Sequence, residues 1–349
     1  MIFASDNWAG AHPLVCEALT RHAGGFASAY GTSDLDRKIE NRFNEIFDRQ
    51  VAVFFVGTGT AANSLALASV NRPGGVSFCH SEAHVIEDEC GAPEFFTHGA
   101  RLVPVDGEDG KMNPDDLRAE IGRFPPGSVH SGQPMAVTLT QSTEVGTVYA
   151  LDEIDVIAGI ASDKDLPLHM DGARFANALV HLDVTAAEMT WKRGVDIVSF
   201  GGTKNGCWCA EALVFLNPET AADLPFIRKR AAQLFSKSRF IAAQFEAYFA
   251  DDLWLDLARH SNAMADRLRQ GIAASPNARL GWDTQANELF PIIGKARIEM
   301  LREKGAVIMD WNPPRSARSL LGAEETMVRM VTSFATTKDD VDRFIDLLG

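Results

Sequence analysis

Two short apolar runs end in charged residues 33 positions apart: Asp171, in Leu168-His169-Met170-Asp171-Gly172-Ala173-Arg174, and Lys204, which follows Ile197-Val198-Ser199-Phe200-Gly201-Gly202-Thr203. Alone, either is ordinary, Asp171 as a turn or helix cap and Lys204 as a surface lysine. A third motif gives them a common purpose. Gly57-Thr58-Gly59-Thr60-Ala61-Ala62-Asn63 follows a β-prone run and opens a helical one. Its backbone N–H groups and the positive end of the helix dipole suit an anion such as phosphate. A cradle, an aspartate and a lysine, in that chain order, meet the needs of pyridoxal 5'-phosphate. Its aldehyde is held as a Schiff base by a lysine amine. Its ring nitrogen stays protonated beside a carboxylate, which stabilises the positive charge.

Three further residues are candidates. His84, in Ser81-Glu82-Ala83-His84-Val85, follows a strand and could stack on the ring or shuttle protons near neutral pH. His130, in Val129-His130-Ser131, lies in a polar loop and could do the same work or simply be solvated. Arg329 is a charge within the apolar run Val328-Arg329-Met330-Val331-Thr332-Ser333. A planar guanidinium there suits a substrate α-carboxylate. A rival reading stays open at this point. Gly57-x-Gly59-x-x-Ala62 also fits a dinucleotide fingerprint, with Glu82 as the ribose ligand.

The elements that must position these groups alternate. Strands are expected at 51–56, 76–79, 102–105, 136–140, 168–171, 197–200 and 213–216, with helices such as 61–69, 114–121 and 151–161 between them. That rhythm implies right-handed crossovers and a mostly parallel sheet covered by helices, an α/β class. Ligands bind beyond the carboxyl ends of such strands. Gly59-Thr60, His84, Asp171 with Arg174, and Lys204 all stand there. From about residue 219 the pattern changes: long helices at 227–248 and 254–274, strands near 289–293 and 307–310, a helix at 296–304, a strand at 328–333 and a final helix from Thr337. We expect a large domain over 1–240, beginning with an N-terminal arm of about 13 residues, and a smaller α+β domain over 241–349.

Composition narrows the class. The 349 residues carry 33 Lys and Arg against 47 Asp and Glu, a formal charge of −14. That balance argues against a nucleic-acid binder and against an anionic membrane surface. No run approaches a membrane span, and Met1 to Asp6 lacks the pattern of a secretory signal, so a cytoplasmic protein is expected. Five scattered cysteines do not form a disulfide framework. Cys79, His80, His84 and Cys90 could be drawn as a metal cluster, but the cysteines read more simply as small buried hydrophobes, and no metal is expected.

Taken together, Ser5-Asp6-Asn7, Thr58-Gly59-Thr60-Ala61-Ala62-Asn63, Glu82-Ala83-His84, Asp171-Gly172-Ala173-Arg174, Thr203-Lys204 and the run from Val328 to Ser333 resemble the low-specificity threonine aldolases. These are fold-type-I pyridoxal phosphate enzymes with a transferase-like α/β fold. Asp88-Glu89-Cys90-Gly91-Ala92-Pro93-Glu94-Phe95-Phe96, Thr140-Gln141-Ser142-Thr143-Glu144-Val145-Gly146 and Ala187-Glu188-Met189-Thr190-Trp191-Lys192 resemble their phenylserine aldolase branch. The resemblance implies that Lys204 holds the cofactor, Asp171 pairs with its ring nitrogen, His84 stacks on it, and Gly59 and Thr60 bind its phosphate. It implies that Ser5, Arg174 and Arg329 bind the substrate carboxylate, with Arg174 beside the cofactor too. Tyr30 resembles an active-site tyrosine supplied by a neighbouring subunit. The active unit would be a homodimer, within a tetramer.

The implied reaction is retro-aldol cleavage of a β-hydroxy-α-amino acid to glycine and an aldehyde. Its β-hydroxyl needs a general base, for which His84 and His130 are the candidates. The family's usual glycine-rich loop after the lysine is replaced by the bulkier Asn205-Gly206-Cys207-Trp208-Cys209. Alternatives are a β-eliminating lyase or an aminotransferase on the same scaffold, a nicotinamide dehydrogenase, and a non-catalytic relative.

Overall fold

Each expected apolar run between 51 and 216 forms a strand. In chain order these are β1 (Ala52–Val56), β2 (Gly75–His80), β3 (Arg101–Val105), β4 (Gln133–Thr140), β5 (Leu168–Gly172), β6 (Ile197–Gly201) and β7 (Glu211–Phe215). The computed structural model describes residues 1–349, apart from the side chains at positions 315 and 316. The seven strands make one sheet in the order β1-β7-β6-β5-β4-β2-β3. From β3 across to β6 all pairs are parallel, while β7 runs against both β6 and β1. The sheet is mostly parallel, as the alternation of elements implies, and helices cover it. Residues from β2, β4, β5 and β6 share one buried core with the helices. The near-continuous apolar strands are thereby accounted for.

The edge position of β1 removes the dinucleotide reading. A dinucleotide unit needs a parallel neighbour reached through the first crossover. Here β1 has one neighbour, antiparallel β7, and the crossover from β1 leads to β2 far across the sheet.

A smaller sheet is built from β8 (Ala278–Leu280), β9 (Glu288–Leu289), β10 (Pro291–Gly294), β11 (Met309–Asp310) and β12 (Glu325–Val331). The helix Leu253–Ala274 joins the two halves. Its Trp254 and Ala258 lie in the large core, and its Ala265, Leu268 and Ile272 in the small one. The single helix expected at 227–248 is instead two, Leu224–Arg230 and Arg239–Phe249. No Gly or Pro marks the break; tertiary contacts from it hold other segments. Gln233 Oε1 accepts the Gly57 N–H at 3.1 Å, and Ser238 Oγ accepts the Gly31 N–H at 2.7 Å. Among the described residues no helix is long and apolar enough to cross a membrane.

The N-terminal segment is stitched to the small sheet. Phe3 N–H donates to Val307 O at 2.9 Å, and Val331 N–H donates to Phe3 O at 2.8 Å. Its ring is fully buried in the small core, edge-on to Phe344 with centroids 5.5 Å apart. This anchoring fixes where residues 5–7 can reach. Phe3→Ala removes a buried aromatic, and we predict a loss of about 3–5 kcal/mol of stability, read as a lower urea midpoint at unchanged slope. A loss below about 1 kcal/mol would show that the ring does not anchor the segment.

Candidate active site

Because β2, β4, β5 and β6 are parallel, the loops leaving them gather at one edge of the sheet. A cavity of about 240 Å³ opens there. Its wall includes Gly57 to Thr60, Asn63, His84, Asp171, Lys204 and Glu211. The two residues singled out by sequence, 33 positions apart, thus face the same space.

The cradle is a helix start. Thr58 caps the helix Gly59–Ser69, its Oγ1 accepting the Ala61 N–H at 3.1 Å. The N–H groups of Gly59 and Thr60 find no protein acceptor among the described residues. They remain available to an anion. Open space surrounds the position a Cβ would take at Gly59, whereas at Gly57 it would lie 3.0 Å from the Phe235 ring. Gly57 is thus the position where only a hydrogen fits easily.

Asp171, near the end of β5, is 2% exposed. Its Oδ1 accepts the Ala173 N–H at 3.0 Å and its Oδ2 accepts from Asn63 Nδ2 at 2.8 Å. Among the described residues it makes no ion pair. Lys204 lies half-buried in the turn Thr203–Asn205 that follows β6, and its amine likewise has no hydrogen bond or ion pair among the described residues. His84 opens a short helical turn, with Nδ1 3.0 Å from Glu89 Oε1. That bond, with lesser help from Glu144 and Asp171, outweighs desolvation and raises the proton affinity of His84. Burial pushes the Glu89 carboxyl up as well, opposed by its bonds to His84 and Asn63. The Asn63 amide also donates to Glu89 Oε1 at 2.8 Å, so one side chain ties Asp171 to the His84–Glu89 pair.

Three wall or near-wall residues were not singled out from sequence: Asn63, Glu89 and Glu211. Asn63 was visible inside the cradle motif as a helix residue. Glu89 stands five positions after His84, one beyond the i,i+4 spacing of a regular helical pair. Glu211 opens a strand and looks there like an ordinary edge charge.

The expected carboxylate clamp is arranged otherwise than the sequence implies. Arg174 is 4% exposed and already paired. Its Nε and Nη2 donate to Asp6 at 2.8 and 3.1 Å, and its Nη1 lies 3.1 Å from Glu288 Oε2. Burial alone would weaken its hold on a proton, but Asp6, Glu288 and Glu144 raise it. Ser5 caps the turn Asp6–Trp8 by accepting the Asn7 N–H at 3.1 Å. Arg329, half-buried on β12, lays its guanidinium 4.8 Å from the centre of the Trp311 ring, within the electrostatic reach of Glu288. None of the three is on the cavity wall; their neighbours Asn7 and Ala173 are.

Two expected residues lie elsewhere in the chain. His130 is exposed in the turn before β4, where Gln133 N–H donates to Gly74 O. A loop that enters β4 lies at the opposite edge of a parallel sheet from one that leaves β2. The chain's own fold therefore does not bring His130 to His84. Tyr30 is 50% exposed, with a φ of 59° and the Lys229 ammonium 5.4 Å from its ring centre, and it is not on this cavity wall. Cys79 is buried, and burial pushes its thiol up to about 12. Among the described residues no group of three His, Cys, Asp or Glu is placed to hold a metal.

Residues 3–291 match the beta-eliminating lyase family. The chain is 42% identical to the low-specificity L-threonine aldolase of Pseudomonas aeruginosa over 303 residues, 87% of each chain. It is 41% identical to that of a Pseudomonas species, again over 87% of each. A solved threonine aldolase from Leishmania major superposes with a TM-score of 0.92 at 29% identity, covering 99% of this chain and 98% of that one.

The His84–Glu89 pair makes a checkable prediction. Glu89→Gln removes the main cause of the raised imidazole value, so His84 should titrate lower, toward or below the ordinary value of about 6.5. Its ring resonances followed by NMR against pH will show this; an unmoved titration would mean that Glu89 does not set the charge of His84.

Proposed function

The chain belongs to the beta-eliminating lyase family, alongside the low-specificity L-threonine aldolases, and we propose that it is a pyridoxal-phosphate-dependent aldolase cleaving β-hydroxy-α-amino acids to glycine and an aldehyde. Its architecture is that of the fold-type-I pyridoxal phosphate enzymes. One observation carries the reading: a lysine amine and a buried aspartate, neither in an ion pair among the described residues, share a cavity with a helix start whose first N–H groups have no acceptor among those residues.

The residues fit the cofactor. Gly59 and Thr60 would hold the phosphate, Lys204 the aldehyde, and Asp171 the ring nitrogen, with His84 against the ring face. Pyridoxal phosphate, when bound, supplies an electron sink for the carbon–carbon bond being broken. The protein does the rest. Asp171, oriented by the Asn63 and Ala173 N–H donors, would face the ring nitrogen and favour a positive charge there. Asn63 fixes the Asp171 carboxylate and, through Glu89, the tilt of His84. With Nδ1–H donating to Glu89, His84 Nε2 is left as the acceptor for the β-hydroxyl proton. Arg329 and Arg174 supply the positive field toward which a substrate carboxylate turns, with Ser5 beside them. Arg174 is also committed to Asp6 and Glu288, so Arg329 is the guanidinium less occupied by protein carboxylates.

On finer points, the likeness of 88–96, 140–146 and 187–192 to phenylserine aldolases favours aryl substrates beside threonine and allo-threonine. Exposed Phe26, Phe95, Phe226 and Trp208 favour self-association, as a homodimer within a tetramer.

Side-by-side assays of L-threonine, L-allo-threonine and both phenylserine diastereomers should yield glycine and the matching aldehyde. Ammonia and a keto acid would instead identify a β-eliminating lyase. Lys204→Ala should lose the visible absorbance of the loaded protein together with turnover. Asp171→Asn should keep absorbance and lose roughly 10²-fold or more in kcat. A yellow Lys204→Ala protein would overturn the reading.

A further inference from the structure

Glu211 is a wall residue with no part in the chemistry above. It opens β7, the strand that runs against its neighbours, so its first residue falls at the carboxyl edge of the sheet. Register pairs it on one side with Val56, one residue before the cradle begins at Gly57. On the other side it pairs with Gly201, two residues before the turn that carries Lys204. The carboxyl therefore stands between the anion cradle and the amine, 6% exposed and lining their common cavity. Thr203 N–H donates to its Oε1 at 3.3 Å.

The charged and titratable groups around it are few. Lys204 is the cation; Asp171, Cys207, Cys209 and Tyr248 are the others within electrostatic reach, and His84 lines the same cavity. Burial pushes the Glu211 carboxyl up to about 7, with Thr203 and Lys204 pulling the other way. Loading the cofactor brings a phosphate anion to the cradle beside it. A carboxylate left ionised there, itself 6% exposed, would face an anion across a partly buried cavity.

We propose that Glu211 is a neutral acid in the cofactor-loaded protein and donates a hydrogen bond, keeping its proton, to the anion held at Gly59 and Thr60. The proposal rests on the pyridoxal phosphate reading. It makes cofactor binding take up a proton at Glu211. The sign follows from linkage: a group whose value is higher in the bound state weakens binding as pH rises from its free toward its bound value.

The test is the dissociation constant of pyridoxal phosphate, followed by visible absorbance at several pH values from about 7 to 9, for the wild type and Glu211→Gln. Glutamine also donates from that position and cannot ionise. The ratio of wild-type to variant constants should rise, approaching about tenfold per pH unit. With pyridoxal, which lacks the phosphate, the ratio should stay flat. A flat ratio with pyridoxal phosphate overturns the proposal and leaves the cofactor reading intact. Absence of any visible band in the wild type overturns the cofactor reading, and the proposal with it. Should Glu211→Gln not fold, the wild type alone decides. Near pH 8, in weak buffer, loading pyridoxal phosphate should take up about one proton more than loading pyridoxal. An equal uptake by both would contradict the role given to Glu211.

Discussion

A buried carboxylate with no counter-ion organises this protein. Asp171 is almost entirely out of water, yet among the described residues only N–H donors meet it, from Ala173 and from Asn63. Burying an ionised carboxylate is costly unless its charge is answered. Two hydrogen bonds orient it; a cation on the cavity side would complete the balance. Everything else at this edge is placed with respect to that demand. The parallel run from β4 to β6 sets Thr140, Asp171 and Ser199 side by side in register, and the turn after β6 then swings Lys204 to the same cavity.

A second constraint holds the halves of the molecule around that cavity. Arg174 joins three separate stretches of chain: its own turn after β5, Asp6 from the N-terminal segment, and Glu288 on β9 of the small sheet. Burial would raise the Asp6 carboxyl, but Arg174, with help from Lys204 and Asn287, lowers it. Glu288, fully buried and near Glu144, is pushed up to about 7, chiefly by burial and against the pull of Arg174. So one guanidinium, already answered by two carboxylates, is a structural rivet beside the site. Truncating it would leave two buried carboxylates facing one another, which separates it from an ordinary surface ion pair.

Much of this was legible in the sequence, for definite reasons. Strands buried on both faces must be continuously apolar, so the runs ending at Val56, Asp171 and Phe200 announced themselves. A charge at or just after the end of such a run lies toward the sheet's carboxyl edge, which is why Asp171, Lys204 and His84 stand out as candidates, and the fold brings all three to one cavity. What escaped depended on partners distant in sequence. Nothing near residue 211 says that β7 is reversed, and it is the reversal that places Glu211 at the carboxyl edge, on the cavity wall. The helix break after Arg230 has no local breaker, because contacts to Gly57 and Gly31 stabilise it. A loop residue such as His130 gives no sign of which end of a strand it serves, and the partners of Arg174 come from residues 6 and 288.

The central claim is that one amine, that of Lys204, carries the cofactor. Reduction of the pyridoxal-phosphate-loaded protein with borohydride, followed by proteolysis and mass spectrometry, tests it without any assay of turnover. A single phosphopyridoxyl group on the peptide containing Lys204 is the expected result. A label on another lysine, or none at all, would contradict the account.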